Sequence, residues 1–351
     1  MHATAMTPPN GFLPTNSTQI DVTFVPQSGS LSDAFTSSSQ LVRLPSQTNL
    51  VSYTNQVGGH GEFVKHEDPR MLLKPFDSYE FSFYRQLHSS RFKDLLPFTA
   101  RCFGEVEVDS SRGSGSNQAY RCTKYVMLED LAHGLSAPCI LDLKMGLKQR
   151  SLKNVSAMKL RRTSTKSLST TSHSLGFRLC GALYYDAKGN RIFRDKYEGR
   201  NLDETGAFNA ISDFFSSVSD ESMKFNLIAS LIARLEKLLK VIGELSGVRF
   251  WSGSLLLVFD AQNPEAVTMK MIDFVQTAIL GKMDDMDEDD KLERSATLPD
   301  LEYLYGIQNL LAYLHAIRDG SLMPPAVIGP APDAADQDEE LLRVADKSSE
   351  Q

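Results

Sequence analysis

The chain has 351 residues, 41% of them hydrophobic, and a formal net charge of −7, so it can bury one large or two ordinary cores but is unsuited to wholesale nucleic-acid binding. The four cysteines stand singly and form no C-x-x-C pair, which indicates neither a zinc ribbon nor a disulfide framework. No apolar run approaches the roughly twenty residues of a membrane span, and no signal peptide is recognisable, so we expect a cytoplasmic or nuclear protein without membrane insertion.

The first part of the chain is predicted to be a disordered tail followed by a small lobe. Residues 1–55 are rich in Ser, Thr, Pro, Asn and Gln and contain too few apolar residues to offset the entropy of ordering. Residues 56–131 are predicted to form an N-terminal lobe of antiparallel sheet plus helix. Its predicted strands are at 62–65, 71–74, 103–108 and 121–128, and its helix is at 78–87.

Residues 132–323 are predicted to form a second lobe, interrupted by an acidic loop at 283–300. A 3.6-residue repeat of apolar residues indicates an amphipathic helix at 221–245, and a last helix is predicted at 301–317. The predicted strands are at 139–143, 179–185, 192–193, 255–259 and 267–274. Residues 324–351 are predicted to be a disordered C-terminal tail.

Positive charge is concentrated between residues 144 and 178, where no acidic residue occurs. A basic segment in an acidic protein suggests a compact ligand with several negative charges. A solvated basic loop is an equally good interpretation on charge alone. The basic residues are Lys144, Lys148, Arg150, Lys153, Lys159, Arg161, Arg162, Lys166 and Arg178.

The most informative segment is 138–146, Pro-Cys-Ile-Leu-Asp-Leu-Lys-Met-Gly. Strand alternation places Asp142 and Lys144 on one face, and Gly146 allows a sharp turn or a close approach to a ligand. Phosphoryl transfer needs cations around the transferred group and a carboxylate to orient a hydroxyl. A structural ion pair is the alternative interpretation of the two side chains.

The pattern P-x-x-x-D-x-K-x-G, complete here as Pro138, Asp142, Lys144 and Gly146, is similar to the signature of the inositol polyphosphate kinase family. Further segments resemble the family in the same order from about residue 56 to 314, and two of them look most like the inositol hexakisphosphate kinase branch. The segments are 56–60, 74–75, 128–131, 175–181, 196–200, 254–256, 272–274 and 305–306, and those nearest the branch are 56–60 and 196–200.

The resemblance implies an α+β, two-lobed, protein-kinase-like (SAICAR-synthase-like) fold with ATP between the lobes. Lys74 resembles the lysine that holds the ATP phosphates, and Asp142 resembles the carboxylate that meets the ribose, with a direct catalytic part also open. Asp273 looks like the Mg²⁺ ligand. The hinge whose backbone binds adenine corresponds to Glu129, Asp130 and Leu131.

The resemblance also implies a site for the inositol phosphate. Lys144 resembles the catalytic lysine that bridges the acceptor and the transferred phosphoryl group. Lys196 and Arg200 are candidates for gripping a phosphate, although Arg200 also fits a structural salt bridge. Gln276 stands where relatives of this branch usually have His, so a side chain near the acceptor cannot become a cation. The remaining candidates are Lys148, Lys159, Arg161, Arg162 and Lys166.

The sequence therefore predicts a monomeric, ATP- and Mg²⁺-dependent kinase whose partner is an inositol polyphosphate. The favoured reaction phosphorylates an existing phosphate of inositol hexakisphosphate to give a diphosphoinositol. The alternatives are a multikinase or trisphosphate kinase acting on ring hydroxyls, and a catalytically idle inositol phosphate sensor. A protein kinase is disfavoured, because neither a Gly-x-Gly-x-x-Gly loop nor a His-Arg-Asp element is found.

Overall fold

A computed structural model describes residues 42–43, 51–58, 62–66, 68–112, 119–147, 167–279 and 297–329. The rest of the two predicted tails and most of the predicted acidic loop lie outside these residues. Within the described ranges, no helix has both the length and the hydrophobicity that spanning a bilayer requires.

The first sheet is built from the N-terminal third of the chain. Its strands are β1 (Val42–Arg43), β2 (Val51–Ser52), β3 (Val64–Lys65), β4 (Met71–Pro75), β5 (Cys102–Arg112) and β6 (Ala119–Glu129). Their order is β1-β5-β6-β4-β3-β2, and all neighbours are antiparallel except β1 and β5. Cross-strand pairing sets Leu72 opposite Leu128 on one face and Leu73 opposite Met127 on the other.

The predicted disorder of residues 1–55 does not hold for β1 and β2, which add a strand to each edge of the first sheet. Each edge strand has only two residues, so it contains no apolar alternation that sequence analysis can detect. Its order comes instead from main-chain pairing with a strand that is already in the sheet.

Helix α1 (Ser78–Gln86) follows β4 directly and packs toward the second half of the chain. Asp77 caps it, because its carboxylate accepts hydrogen bonds from the backbone N–H groups of Tyr79 (3.0 Å) and Glu80 (3.3 Å). The buried rings of Phe83 and Tyr84 lie 4.8 Å and 5.3 Å from the ring of Phe274. The first turn of the helix places the Glu80 carboxylate within hydrogen-bond distance of Lys74 in β4 (2.8 Å).

The second sheet has five antiparallel strands, and its middle strand carries the Asp142 and Lys144 motif. The strands are β7 (Pro138–Met145), β8 (Phe177–Tyr185), β9 (Arg191–Arg194), β11 (Ser254–Asp260) and β12 (Asn263–Ile272). Their order is β12-β11-β7-β8-β9. All of β7 is buried except Lys144, which is half-buried. Both faces of the strand are covered, because Leu141 packs in the main core and Ile140 packs with Val57 on the other side. A separate pair is formed by β10 (Val248–Phe250) and β13 (Thr277–Ile279).

Helices cover the second sheet. They are α2 (Thr171–Leu175), α3 (Lys196–Arg200), α4 (Glu204–Phe214), α5 (Glu221–Glu244) and α6 (Leu301–Arg318). The amphipathic helix predicted at 221–245 is α5, which buries Leu227, Leu231 and Leu235 on one side. The sequence analysis did not identify α4, although Phe208, Ile211 and Phe214 recur at helical spacing along it.

The buried core joins both parts of the chain and confirms the predicted α+β class. One cluster of buried side chains extends from Phe83 and Tyr84 of α1 through the second sheet to α5 and α6. The core therefore crosses the predicted lobe boundary at residue 131, which itself stays a prediction. The fold leaves a cleft between the two sheets, bordered by residues of both.

Candidate active site

The cleft between the sheets encloses about 770 Å³, including space that is open to solvent. Its walls are largely apolar and come from both sheets, with Leu72 and Leu128 on one side and Ile140, Leu256 and Val258 on the other. The charged side chains that border it are Lys74, Glu80, Glu129, Asp142 and Asp273. An apolar slot with a few convergent polar groups is the usual form of a small-molecule site.

Lys74 lies at the centre of the charged end of the cleft. Its Nζ donates to Glu80 Oε1 (2.8 Å) and to Asp273 Oδ1 (2.6 Å), and its side chain is only 12% exposed. Burial opposes its charge, but the two carboxylates outweigh burial and raise the pKa of Lys74 above its usual value. Lys74 is therefore a fixed cation.

Glu80 is a site residue that the sequence analysis missed. Its side chain is fully buried, and Oε1 also accepts a hydrogen bond from the backbone N–H of Phe274 (3.2 Å). Burial raises the pKa of Glu80, whereas the Lys74 ammonium favours the charged form. The available signal was an acidic residue in the first turn of a helix that begins four residues after Lys74.

Asp273 lies between the end of β12 and a 3₁₀ turn formed by Phe274–Gln276. Its backbone is left-handed, with φ 64°, a conformation that Asp and Asn tolerate better than most residues. Residues held in such conformations occur often at functional sites. With the backbone in this conformation, the Asp273 carboxylate lies against Lys74 at the edge of the cleft.

Asp142 borders the cleft from β7 and is almost completely buried. Burial and the neighbouring carboxylate of Asp273 raise the pKa of Asp142 to about 6, although Lys144 opposes the shift. Among the described residues, Asp142 Oδ1 has no hydrogen-bond partner. A buried acceptor without a partner is costly, so this oxygen is suited to a donor on a ligand.

The structure brings Lys144 together with two arginines. Lys144 pairs with Arg178 across β7 and β8, and the Arg178 guanidinium donates to Ser172 Oγ (3.0 Å). Burial and the neighbouring Arg200 lower the pKa of Arg178. Arg178 was recognised in the basic segment but not among the predicted site residues, because a strand sequence alone does not show where its side chain is anchored.

Arg200 and Lys196 lie on α3, with their cationic groups 5.1 Å and 5.6 Å from the ring of Tyr197. Arg200 Nε is buried and has no hydrogen-bond partner among the residues that the structure describes. Across the described part of the chain, no carboxylate forms an ion pair with Lys144, Arg178, Lys196 or Arg200. These cations are therefore free to neutralise an anion, and the salt bridge considered for Arg200 is not observed within that part.

The predicted hinge residues lie at the apolar end of the cleft, but only Glu129 and Leu131 line it. The Asp130 side chain is turned into the protein. Its carboxylate accepts from the Tyr53 hydroxyl (2.9 Å) and from the Ala132 N–H (3.0 Å), and it pairs with Lys65 (3.2 Å). Asp130 thus fixes the shape of the hinge.

Gln276 ends the 3₁₀ turn that follows Asp273 and is half-buried. The other predicted acceptor residues lie outside the described residues, so their positions stay predictions. These are Lys148, Lys159, Arg161, Arg162 and Lys166.

Comparison with known proteins finds a matching family model, several curated relatives and related solved structures. The family model "Inositol polyphosphate kinase" matches residues 125–315. The chain is 30% identical to inositol hexakisphosphate kinase 3 of Mus musculus over 56% of this chain and 52% of that protein. It is 28% identical to inositol hexakisphosphate kinase 1 of Rattus norvegicus over 64% of this chain and 58% of that protein. The chain thus spans between about half and three fifths of these two relatives.

Another relative is matched over more of its length. The inositol polyphosphate multikinase of Schizosaccharomyces pombe is 32% identical over 63% of this chain and 86% of that protein. Among solved structures, an inositol phosphate multikinase from S. cerevisiae in complex with ADP and Mn²⁺ superposes with a TM-score of 0.53 and 23% identity. The superposition covers 70% of this chain and 98% of that one. At this identity the superposition establishes a shared fold.

Proposed function

The chain belongs to the inositol polyphosphate kinase family, and from this we propose that it transfers the terminal phosphate of ATP to an inositol phosphate. The observation that carries the proposal is the arrangement at the charged end of the cleft. There a lysine held by two carboxylates lies near a buried aspartate. Beside it lies a set of cations that have no carboxylate partner within the described ranges. Phosphoryl transfer depends mainly on positioning and on positive charge around the phosphates.

One orientation of ATP would use both the apolar and the charged end of the cleft. Adenine would pack between Leu72 and Leu256, next to the main chain of residues 129–131, while the phosphates would extend toward Lys74. Asp142 Oδ1 would then accept a hydrogen bond from a ribose hydroxyl, which satisfies an acceptor that has no partner among the described residues.

The residues present also fit a magnesium ion. Mg²⁺ is usually held by one or two carboxylates together with substrate phosphates and water. Asp273, at the edge of the cleft, is the carboxylate placed for this role. Within the described ranges, no group of three or more His, Cys, Asp or Glu side chains forms a metal site of protein ligands alone, which agrees with a site completed by nucleotide. Bound Mg²⁺ supplies positive charge to the phosphate oxygens.

The acceptor is proposed to lie against Lys144, Arg178 and Arg200, on the β8 side of Asp142. An arginine guanidinium contacts two phosphate oxygens at once, whereas the Lys144 ammonium can follow the oxygen that moves during transfer. Lys196 extends this cationic surface. The absence of carboxylate partners within the described part of the chain leaves these side chains ready to bind several phosphates.

We favour inositol hexakisphosphate as the acceptor, so that the product is a diphosphoinositol. A fully phosphorylated ring needs a broad cationic surface, which the cations beside β7 and the basic segment after Gly146 would supply. The alternative is a multikinase acting on ring hydroxyls. It is supported by the multikinase of S. pombe, which is matched over 86% of its length.

The test is phosphate transfer from labelled ATP by the purified chain, with inositol hexakisphosphate and inositol trisphosphate offered separately. Label on the hexakisphosphate supports the favoured acceptor, and label on the trisphosphate alone supports the multikinase. Lys144→Ala should reduce transfer by at least about a hundredfold. Lys188→Ala, at an exposed turn, is the matched control and should leave transfer unchanged.

The same experiment separates the kinase from a sensor. Binding of the inositol phosphate by both the parent and Lys144→Ala, with no transfer by either, would reject the kinase proposal. The oligomeric state, predicted to be monomeric, can be measured by light scattering of the same sample.

A further inference from the structure

The motif at residues 56–60 resembles the family, but the function proposed above gives it no role. The structure shows that residues 53–58, here called the strap, cross from the first sheet to the second. At one end, the Tyr53 hydroxyl donates to Asp130 in the hinge (2.9 Å). At the other end, Val57 is buried in a small apolar cluster with Ile140, Leu183 and Val258 of the second sheet.

The strap is also braced from within. Gln56 Nε2 donates to the carbonyl oxygen of Gly58 (3.0 Å), and Gln56 Oε1 accepts from the N–H of Phe63 (3.2 Å). One side chain therefore ties the end of the strap to the residue just before β3. Five of the six strap residues also line the cleft, so the strap forms part of its wall.

Two glycines allow the strap to lie directly on the second sheet. A Cβ placed on Gly181 of β8 would overlap the main-chain oxygen of Val57, and a Cβ placed on Gly58 would overlap Oδ2 of Asp142. Gly181 is also the cross-strand partner of Asp142. The strap thus crosses β7 and β8 at Asp142, with Gly58 against its carboxylate.

This contact determines which oxygen of Asp142 is available. Gly58 covers Oδ2, while Oδ1 is the oxygen without a hydrogen-bond partner among the described residues. Asp142 is only 2% exposed, so its carboxylate has little room to move without rotating. A methyl group at Gly58 would therefore turn the carboxylate away from its present direction.

We propose that Gly58 is a positioning residue that fixes the Asp142 carboxylate toward the nucleotide sugar and so makes the cleft selective for ribonucleotides over 2′-deoxyribonucleotides. This inference rests on the proposed nucleotide site. A hydrogen bond to a charged acceptor contributes a factor of about ten or more to affinity. An apolar contact with adenine does not distinguish the two sugars, so the preference depends on the direction of Asp142.

The test measures binding of ADP and 2′-deoxyADP, each with Mg²⁺, by calorimetry, so that it does not depend on catalysis. We expect the parent to bind ADP at least about tenfold more tightly than 2′-deoxyADP. Gly58→Ala should weaken ADP binding and bring this ratio close to one, with 2′-deoxyADP affected less. The matched control is Gly243→Ala, on α5, where an added Cβ has no atom within 4 Å and the ratio should not change.

A double-mutant cycle shows whether Gly58 acts through Asp142. In an Asp142→Ala background, Gly58→Ala should cause no further change in the ratio. The inference is overturned if Gly58→Ala weakens the affinity for both nucleotides equally. It is also overturned if Gly58→Ala changes the affinity ratio as much in the Asp142→Ala background as in the parent. Either result leaves the kinase proposal intact. Failure of the parent to bind either nucleotide instead rejects the proposed function.

A second variant keeps the inference testable if Gly58→Ala does not fold. Val57→Ala shortens the side chain that holds the strap against the second sheet and introduces no clash. It should lower the ratio by loosening the strap over Asp142, and equal weakening of both nucleotides would contradict the proposal.

Discussion

Glu80 and Asp273 share one ammonium group, because both accept from Lys74 Nζ within 2.8 Å. If Asp273 binds a metal and phosphates approach, as proposed, Glu80 would be the partner that keeps Lys74 in place. Its second hydrogen bond, from the Phe274 N–H, fixes its own carboxylate relative to the turn that carries Asp273. A buried residue of α1 thereby links Lys74 of the first sheet to the turn that follows β12 of the second sheet.

Glu80→Gln should lower kcat/KM for ATP about tenfold or more, since the neutral amide holds the Lys74 ammonium less strongly than a carboxylate does. Steady-state kinetics with ATP as the varied substrate measures this change. Glu221→Gln removes an exposed carboxylate that pairs with Lys224 and should leave kcat/KM unchanged. Equal activities for the parent and Glu80→Gln would argue against a role for this ion pair.

Asp142 makes stability depend on pH in the ligand-free protein. Its pKa is raised from 3.8 to about 6, so the folded state binds this proton more tightly than the unfolded chain does. The free energy of unfolding therefore falls as the pH rises between these values. Above them, the loss of stability caused by ionised Asp142 stays constant.

Asp142→Asn removes this cost because the amide stays neutral. At pH 7 the variant should be more stable than the parent by on the order of 2–3 kcal/mol, and the difference should vanish near pH 4. Urea unfolding of both proteins from pH 4 to pH 8 measures it. A stability difference that does not vary with pH would show that ionisation of Asp142 is not its source. The same substitution should reduce activity, since stability and function conflict at this position.

Helix α6 packs against the second sheet through a glycine. A Cβ on Gly306 would overlap the main-chain oxygen of Gly176, at the turn between α2 and β8. Gly176 itself has a left-handed backbone with φ 70°, so neither side of this contact adjusts easily.

Gly306→Ala should therefore destabilise the protein by about 2–4 kcal/mol, although alanine is the better helix former. Thermal or chemical denaturation measures the change. The same substitution at Gly243, on the exposed side of α5, should be neutral or slightly stabilising. Similar stabilities for the two variants would mean that α6 can move away from the turn at little cost.

Elements with a clear period were predictable from sequence, and short elements held in place by other parts of the chain were not. The apolar repeat of α5 and the buried run of β7 identify a helix and a strand without tertiary information. The strands β1 and β2 depend on pairing with distant residues, which no local pattern records. The same limit applies to the site. The Asp142 and Lys144 motif is contiguous, whereas Glu80 meets Lys74 and the Phe274 N–H only in the folded structure.

The molecule as a whole combines a net charge of −7 with a local cationic surface beside β7. The buried Arg178 contributes to this surface at some expense of stability, since burial and Arg200 both disfavour its charge. Attraction of a highly charged acceptor to this surface should be screened by salt.

The KM for the inositol phosphate should therefore rise about tenfold or more between 50 mM and 300 mM salt, with a smaller change in the KM for ATP. Arg178→Met should flatten this dependence and raise the KM for the acceptor. Arg194→Met, which removes a guanidinium already paired with Glu198 and Asp213, should leave the salt dependence unchanged. A salt response that is identical in all three proteins would exclude Arg178 from acceptor binding.

The aromatic contacts of α1 determine whether the two parts of this chain can fold separately. Phe83 and Tyr84 pack on Phe274, and Phe83 also meets Phe250 at 5.9 Å, so one helix of the N-terminal third completes the interior of the remainder. If the chain is expressed as two halves divided after residue 131, these aromatic rings become exposed to solvent in both pieces. Each half alone should aggregate, whereas the two produced together in one cell should reassemble into a working pair.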